Sequence, residues 1–329
     1  MTIAFPRFPR LICEGILMLM DPPEMLAMGL TSKKVQPSVA VHSKKCQLNL
    51  VFYDDDEPCV AIIPFVPIST DSRAVDFNVP PIAGEPSEKM VWSYNKKNIP
   101  ARFYGPNEIR LYSGSDYNRW ELANLVNQTL VPKSMTFGFF ALNGMTRISE
   151  AMIPRLNVTR VTLWGNFETE HNPYLDFIDY FAGKVRELDV RAWAPYVLHK
   201  MMDHWHYDWL NIEHCRWMVT DRIATVTNCK WVRFNRCRNF DEDMKVVLNK
   251  WVSEDCPMTH FEMILDHVCP PFSLEVILQN IRHVMIEEVT MSNGEVRRFE
   301  PNHGARIFRF DGVTAIVSCI GQAFQLDRE

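Results

Sequence analysis

The chain has 329 residues, 47% of them hydrophobic and 23% charged, with a formal net charge of −5, a globular profile with length for two or three domains. The acidic balance excludes the basic footprint of a nucleic-acid binder, and no run approaches the roughly 20 apolar residues of a membrane-spanning helix. Nine cysteines, odd in number and without a C-x-x-C pair, read as buried thiols of a reducing compartment and not as a disulfide framework.

The first forty-five residues carry three helical patterns. Leu11, Ile12, Ile16, Leu17 and Met20 recur at three-to-four-residue spacing, with Pro9 suited to the first turn of that helix. Arg7, Arg10 and Glu14 break any signal-peptide core, so a cytoplasmic or nuclear protein is expected. Asp21-Pro22-Pro23 ends the first helix and caps a second, whose apolar side is Met25, Leu26, Met28 and Leu30. A third begins at Thr31 or Ser32, and Pro37 is expected to shorten or kink it. This stretch is too short to enclose a core. Its apolar face is left for a partner, or for capping the chain's own core.

Residues 46–66 change to period two. Cys46, Leu48, Leu50 and Phe52 alternate, Asp54-Asp55-Asp56-Glu57-Pro58 turns, and Val60-Ala61-Ile62-Ile63 returns, which predicts a β-hairpin with a solvated acidic turn. The Pro-, Ser- and Asn-rich stretch 67–115 is expected to be loop with short strands at Val91-Trp92 and Ile109–Tyr112. Asp116 is placed to cap a helix carrying Trp120, Leu122, Leu125, Val126 and Leu130.

From about residue 135 short alternating runs recur, each followed by a helical stretch. With Val161, Leu188, Leu210, Val232, Phe261 and Ile286 as markers, the intervals are 27, 22, 22, 29 and 25 residues, within the range of a degenerate leucine-rich repeat. Strand–helix units of this kind predict a curved parallel sheet. In the clearest unit, Met244, Val247, Leu248 and Trp251 share one helix face behind an acidic first turn. Ala305–Phe310, an Asp311-Gly312 turn and Val313–Val317 predict a closing hairpin.

The chain lacks a P-loop, a G-x-G-x-x-G fingerprint, an H-E-x-x-H helix and a G-x-S-x-G elbow. His199, His204, His206, His214 and Cys215 form a histidine-rich patch from which a metal site can be drawn. Trp205, Tyr207 and Trp209 interleave with them as packing residues do, so no metal, cofactor or catalytic residue is assigned.

The segment Phe8-Pro9-Arg10-Leu11…Ile16-Leu17…Met20-Asp21-Pro22-Pro23-Glu24-Met25-Leu26…Leu30-Thr31-Ser32-Lys33-Lys34 resembles an F-box of the form common in nematode proteins. Residues Cys229 to Leu265 and the terminal Phe310-Asp311-Gly312…Ala315-Ile316 hairpin resemble the type 2 F-box-associated domain. Gly29 stands where that family usually has a small helix-favouring residue, and is expected to weaken the second helix by roughly 1 kcal/mol relative to alanine.

The resemblance implies an α+β or α/β chain in three parts. A small three-helix F-box occupies 1–45, and a hairpin, loop and helix region 46–134. An irregular leucine-rich-repeat-like strand–helix solenoid with β-hairpins fills 135–329, with its best match at 229–265. It further implies a non-catalytic substrate-recognition subunit of an SCF-type (cullin–RING) ubiquitin ligase. Phe8, Pro9, Leu11, Ile12, Ile16, Leu17, Met20, Pro23 and Leu26 would dock the SCF adaptor and through it cullin. The C-terminal region would hold an unknown protein substrate, with no nucleic-acid or membrane partner. The alternative is a ligase-independent protein-binding scaffold.

Overall fold

The structure is a computed structural model and describes residues 10–44, 46–53, 58–64, 90–104, 108–114, 118–140, 158–164, 183–191, 205–216, 223–238, 241–254 and 256–329. The chain divides into two units, Met1–Thr162 and Leu163–Glu329. Among the described residues there are seventeen strands and six short helices, and the strands of each unit pair both parallel and antiparallel. This overturns the expected architecture of a small three-helix F-box followed by a leucine-rich-repeat-like solenoid. Strands outnumber helices, and many neighbouring strands run antiparallel.

In the first unit, α1 (Arg10–Leu19), α2 (Pro22–Thr31) and α3 (Gln36–Ser43) follow one another closely. Pro22 and Pro23 fill the first turn of α2, and the Glu24 carboxylate accepts the Asp21 N–H at 3.1 Å, satisfying a donor that the helix start leaves over. Pro37 does not interrupt the third helix. It occupies the first turn of α3, where a missing N–H leaves no bond unmade.

The hairpin strands β1 (Gln47–Tyr53) and β2 (Cys59–Pro64) pair antiparallel, with Leu50 opposite Ile62. The acidic turn between them lies outside the described residues. Beyond come β3 (Met90–Tyr94), β4 (Lys97–Tyr104) and β5 (Glu108–Tyr112), then α4 (Arg119–Leu130) and β6 (Ser134–Phe140), which lies parallel to β1. The sheet order here is β3-β4-β5-β2-β1-β6, followed by β7 (Val158–Trp164). Asn118, not Asp116, caps α4: its side chain accepts the Glu121 N–H at 2.9 Å, and Glu121 returns the bond to the Asn118 N–H at 2.7 Å.

α2 and α3 pack on α4, and α2 also reaches β2 and β3. Leu17, Leu26, Leu30, Val39, Leu122 and Val126 are buried. Ser43 donates to the carbonyls of Val39 and Leu130, tying the end of α3 to the end of α4. Gly29 permits this packing, because a Cβ there would lie 2.6 Å from Thr129 Cγ2 and 3.5 Å from Val39 Cγ1. The expected weakness of the second helix is therefore a close approach between helices that needs glycine.

The second unit holds β8 (Glu187–Val190), β9 (Trp209–Ile212), a 3₁₀ turn at Ala224–Asn228, β10 (Trp231–Cys237), α5 (Asp241–Ser253), β11 (His260–Leu265) and α6 (Leu274–Ile277). Next are β12 (His283–Met285), β13 (Glu288–Thr290), β14 (Val296–Arg298), β15 (Gly304–Phe308), β16 (Thr314–Ile320) and β17 (Ala323–Arg328). Strands β8 to β11 are parallel, and Leu188, Leu210, Val232 and Phe261 fall in a single cross-strand row.

The parallel run stops at β11. β17 pairs antiparallel with it, and β16, β15 and β12 continue as an antiparallel meander. Ile286 therefore has no place in the parallel row; it follows β12, and its N–H bonds the Gly304 carbonyl at 3.0 Å. The repeat fails there for a topological reason, since a hairpin turn such as Asp311-Gly312 can only join antiparallel strands. β13 and β14 pair only with each other among the described strands.

Candidate functional site

Strand side chains alternate between faces, so the register sorts the second unit's sheet into two. One face carries Leu188, Leu210, Val232, Phe261 and Leu326, with Val190, Ile212, Phe234, Met263 and Phe324, all buried. α5 bridges β10 to β11 and buries Met244, Val247, Leu248 and Trp251 completely, as a crossover helix on that apolar face requires.

The opposite face is aromatic and polar. Its first row is Glu187, Trp209, Trp231, His260 and Asp327, and its second is Asp189, Asn211, Arg233, Glu262 and Gln325. In the first row the rings stack. Trp209 and Trp231 lie 5.2 Å apart at 12°, and Trp231 and His260 lie 4.8 Å apart at 13°. Parallel pairing sets identical positions side by side, so flat rings at one position of successive strands meet face to face. His260 Nδ1 sits 2.5 Å from Asp327 Oδ1, and Arg297 of β14 donates to Asp327 Oδ2 at 2.5 Å. The β13–β14 pair is thereby held against this face, where Val289, Met291 and Phe299 pack with Ile316 of β16.

The second row is a chain of hydrogen bonds and ion pairs. Asn211 Nδ2 donates to Asp189 Oδ1 at 2.8 Å, and Arg191 Nε meets Asp189 Oδ2 at 3.0 Å. Arg233 Nε lies 2.8 Å from Glu262 Oε2, while Gln325 Nε2 donates to Glu262 Oε1 at 2.6 Å. A third row continues past the strand ends, with Asn235 Nδ2 donating to Glu213 Oε2 at 2.9 Å.

Burial pushes the Asp327 carboxyl up, but the hydrogen bond and charge of His260 and the Arg297 guanidinium outweigh it and hold the pKa below its ordinary value. A carboxyl depressed on folding adds stability above its unfolded pKa of about 3.9, and that stability is lost as pH falls through the folded value. We expect Asp327→Asn to cost roughly 1–2 kcal/mol at pH 7 and to flatten the acid side of the stability profile. Urea titrations between pH 7 and pH 3 read both; an unchanged acid limb would contradict the assignment.

The described members of the histidine patch do not converge. His199 and His204 lie outside the described residues, His206 is exposed, and Trp205, Tyr207 and Cys215 are buried. His214 Nδ1 faces Arg236 Nη1 at 3.5 Å. Burial first, then the charges of Arg236 and Arg216, lower its pKa to about 4, so it is neutral at pH 7. Among the described residues no three His, Cys, Asp or Glu side chains are grouped to hold a metal ion. No helix among them is long and apolar enough to cross a membrane.

The nine residues expected to dock an adaptor are placed unequally. Phe8 and Pro9 lie outside the described residues, and Leu11 falls within α1. Leu17, Pro23 and Leu26 are buried in the chain itself, Ile16 and Met20 are half-buried, and Ile12 is 48% exposed. On α1, Ile12, Ile16 and Leu19 recur at helical spacing on the side away from Leu17, and Met18 and Leu19 are 76% and 88% exposed. Leu19 and Met18 lie outside the expected set, although Leu19 completes the i, i+4, i+7 stripe.

Comparison with known proteins adds one weak likeness. Over 121 residues the chain is 22% identical to the Skn-1 dependent zygotic transcript 15 protein of Caenorhabditis elegans. The aligned segment is 36% of this chain and 34% of that protein, so about a third of each is compared. No family model matches, and no solved structure matches.

Proposed function

We propose that this chain is a non-catalytic protein-binding subunit, an F-box-type substrate receptor of an SCF-type ubiquitin ligase with an F-box-associated C-terminal region. The observation that supports this reading is the stripe on α1. A short helix that buries Leu17 inward while leaving Ile12 and Leu19 exposed is built to be covered from outside. Contact with an adaptor would run through Ile12, Ile16 and Leu19. Leu17, Pro23 and Leu26 would hold the helices in place behind them. Such a subunit accelerates transfer by holding its target close to the charged carrier and supplies no nucleophile.

Co-expression of the full chain with the SCF adaptor, followed by affinity capture, tests this. Replacing Ile12 and Leu19 together by glutamate should abolish capture while leaving the far-ultraviolet circular dichroism unchanged, because both side chains are exposed. Equal capture by the double variant overturns the reading.

A second reading, a ligase-independent scaffold, is favoured by one observation. α2 and α3 are built into the first unit against α4, β2 and β3, as a helical cap on its own sheet would be. Absence of adaptor from the captured wild-type chain, with the fold intact, would select it.

A further inference from the structure

Two helical glycines of the first unit differ in what surrounds them. Gly29 is held against Thr129 and Val39, where no larger residue fits. Gly15 stands inside α1 and is exposed. A Cβ added there would meet no described atom within 4 Å, and no left-handed φ requires glycine at that position. A glycine inside a helix is less favourable than every residue except proline. At Gly15, therefore, α1 gives up stability for nothing that the described residues of this chain need.

The surroundings of Gly15 show what the need is. At 3.6 residues per turn, Ile12, Gly15, Met18 and Leu19 fall within about a third of the helix circumference, with Gly15 in the middle. Ile12 is 48% exposed, Met18 76% and Leu19 88%. Ile12, Gly15 and Met18 follow an i±3 ridge, and Gly15 and Leu19 an i±4 ridge. Both ridges dip at Gly15, which leaves a notch with apolar shoulders. Glu14 is the sole charged residue in 11–20, so the arc lacks the cations that hold an amphipathic helix on lipid headgroups.

A second copy of the chain and another protein remain as occupants, and area separates them. A symmetric pair of α1 helices would bury three such side chains from each copy. At about 60–120 Å² per side chain this is on the order of 400–700 Å², short of the roughly 1,200 Å² of a stable interface. The form of the occupant follows from its backbone. An extended peptide on this arc would bury N–H and C=O groups that α1 cannot pair, whereas a helix pairs its own.

We propose that Gly15 is the crossing point at which a helix of the partner protein lies closest to α1, with Ile12, Met18 and Leu19 gripping it from either side. The two axes then lie near the short end of the roughly 8–10 Å range for packed helices. The inference rests on the reading of the chain as an adaptor-binding subunit and names the position that sets how closely the adaptor approaches. Because Gly15 serves binding and not the fold, its replacement should move stability and affinity in opposite directions.

Gly15→Ala and Gly15→Leu in the full chain test this, each measured for thermal stability and, by titration calorimetry, for affinity to the purified SCF adaptor. Gly15→Ala should raise the thermal midpoint, since alanine favours the helix and its methyl group has room. The same methyl group should weaken adaptor binding about tenfold, within the range for overpacking a tight contact. Gly15→Leu should abolish binding, and both variants should keep the wild-type far-ultraviolet circular dichroism. Wild-type affinity in both variants overturns the proposal. A lowered midpoint for Gly15→Ala also overturns it, since the chain itself would then need the glycine. So does a wild-type chain that sediments alone as a dimer and becomes monomeric in Gly15→Leu, which gives the notch to a second copy. Adaptor binding lost in the Ile12 and Leu19 double variant but kept in both Gly15 variants rejects this inference alone. A wild-type chain that binds no adaptor removes it together with the reading beneath it.

Discussion

Trp251→Ala should lower the unfolding free energy of the second unit by about 3–5 kcal/mol, the range for deleting a large buried aromatic side chain. Trp251 is completely buried on α5. Its Nε1–H donates to the Met258 carbonyl at 3.3 Å, and the Arg309 guanidinium carbon lies 5.5 Å from the ring centroid. Truncation therefore does three things. It opens a cavity between α5 and the apolar face of the sheet, leaves the Met258 carbonyl short of a donor, and strips one side of Arg309. That arginine is itself 5% exposed and is fixed by Asp311 at 2.6 and 2.9 Å and by the Cys256 carbonyl at 3.1 Å. Trp251→Phe keeps much of the volume but no donor, and should cost appreciably less. Urea denaturation followed by circular dichroism separates the two. A loss below about 1 kcal/mol for the alanine variant would mean that α5 does not close the core.

The helix containing Trp251 was legible because its apolar positions and acidic first turn agree in position. The strand markers were legible for a similar reason. Leu188, Leu210, Val232 and Phe261 align in the sheet because successive parallel strands repeat the same alternation. What alternation does not carry is the identity of a strand's neighbour. Nothing local to Ala323–Arg328 announces that β17 lies beside β11, sixty residues earlier in the chain, so the local pattern yields the closing hairpin of β15 and β16 but not the strand that joins it to the parallel run. β4 was hidden by Pro100, which argues against a strand, yet Pro100 stands in register opposite Val91.

The site was half legible in the same way. Attention to the apolar markers passes over the residues between them: Trp209, Asn211 and Glu213, then Trp231, Arg233 and Asn235, then His260 and Glu262. These occupy the alternate positions of the same strands, with Glu213 just beyond the end of β9, and gather on the other face. The spacing of the markers was the signal that contained them. Their chemistry depends on which strands lie side by side, since Asn211 is fixed by Asp189 and Glu262 by Arg233 and Gln325.

Gly29→Ala should destabilise the first unit by about 1–3 kcal/mol, the range for overpacking a tight contact, although alanine favours the helix by roughly 1 kcal/mol. The sign is decided by Thr129. Its Cγ2 would lie 2.6 Å from the new Cβ, and its β-branched side chain on a helix has little rotamer freedom with which to retreat. α2 and α4 must then move apart. Val39, 3.5 Å away on α3, and Ser43, bonded to the Leu130 carbonyl, resist that movement from the other side. Thr129→Ser removes the clashing methyl group and keeps the hydroxyl, so the double variant Gly29→Ala with Thr129→Ser should recover most of the loss. The coupling in that cycle is the diagnostic quantity. Helix propensity alone predicts that Gly29→Ala stabilises the chain whatever residue stands at 129. Thermal melts of the four proteins distinguish the two accounts, and a raised midpoint for the single variant would show that α2 does not approach α4 as closely as the glycine allows.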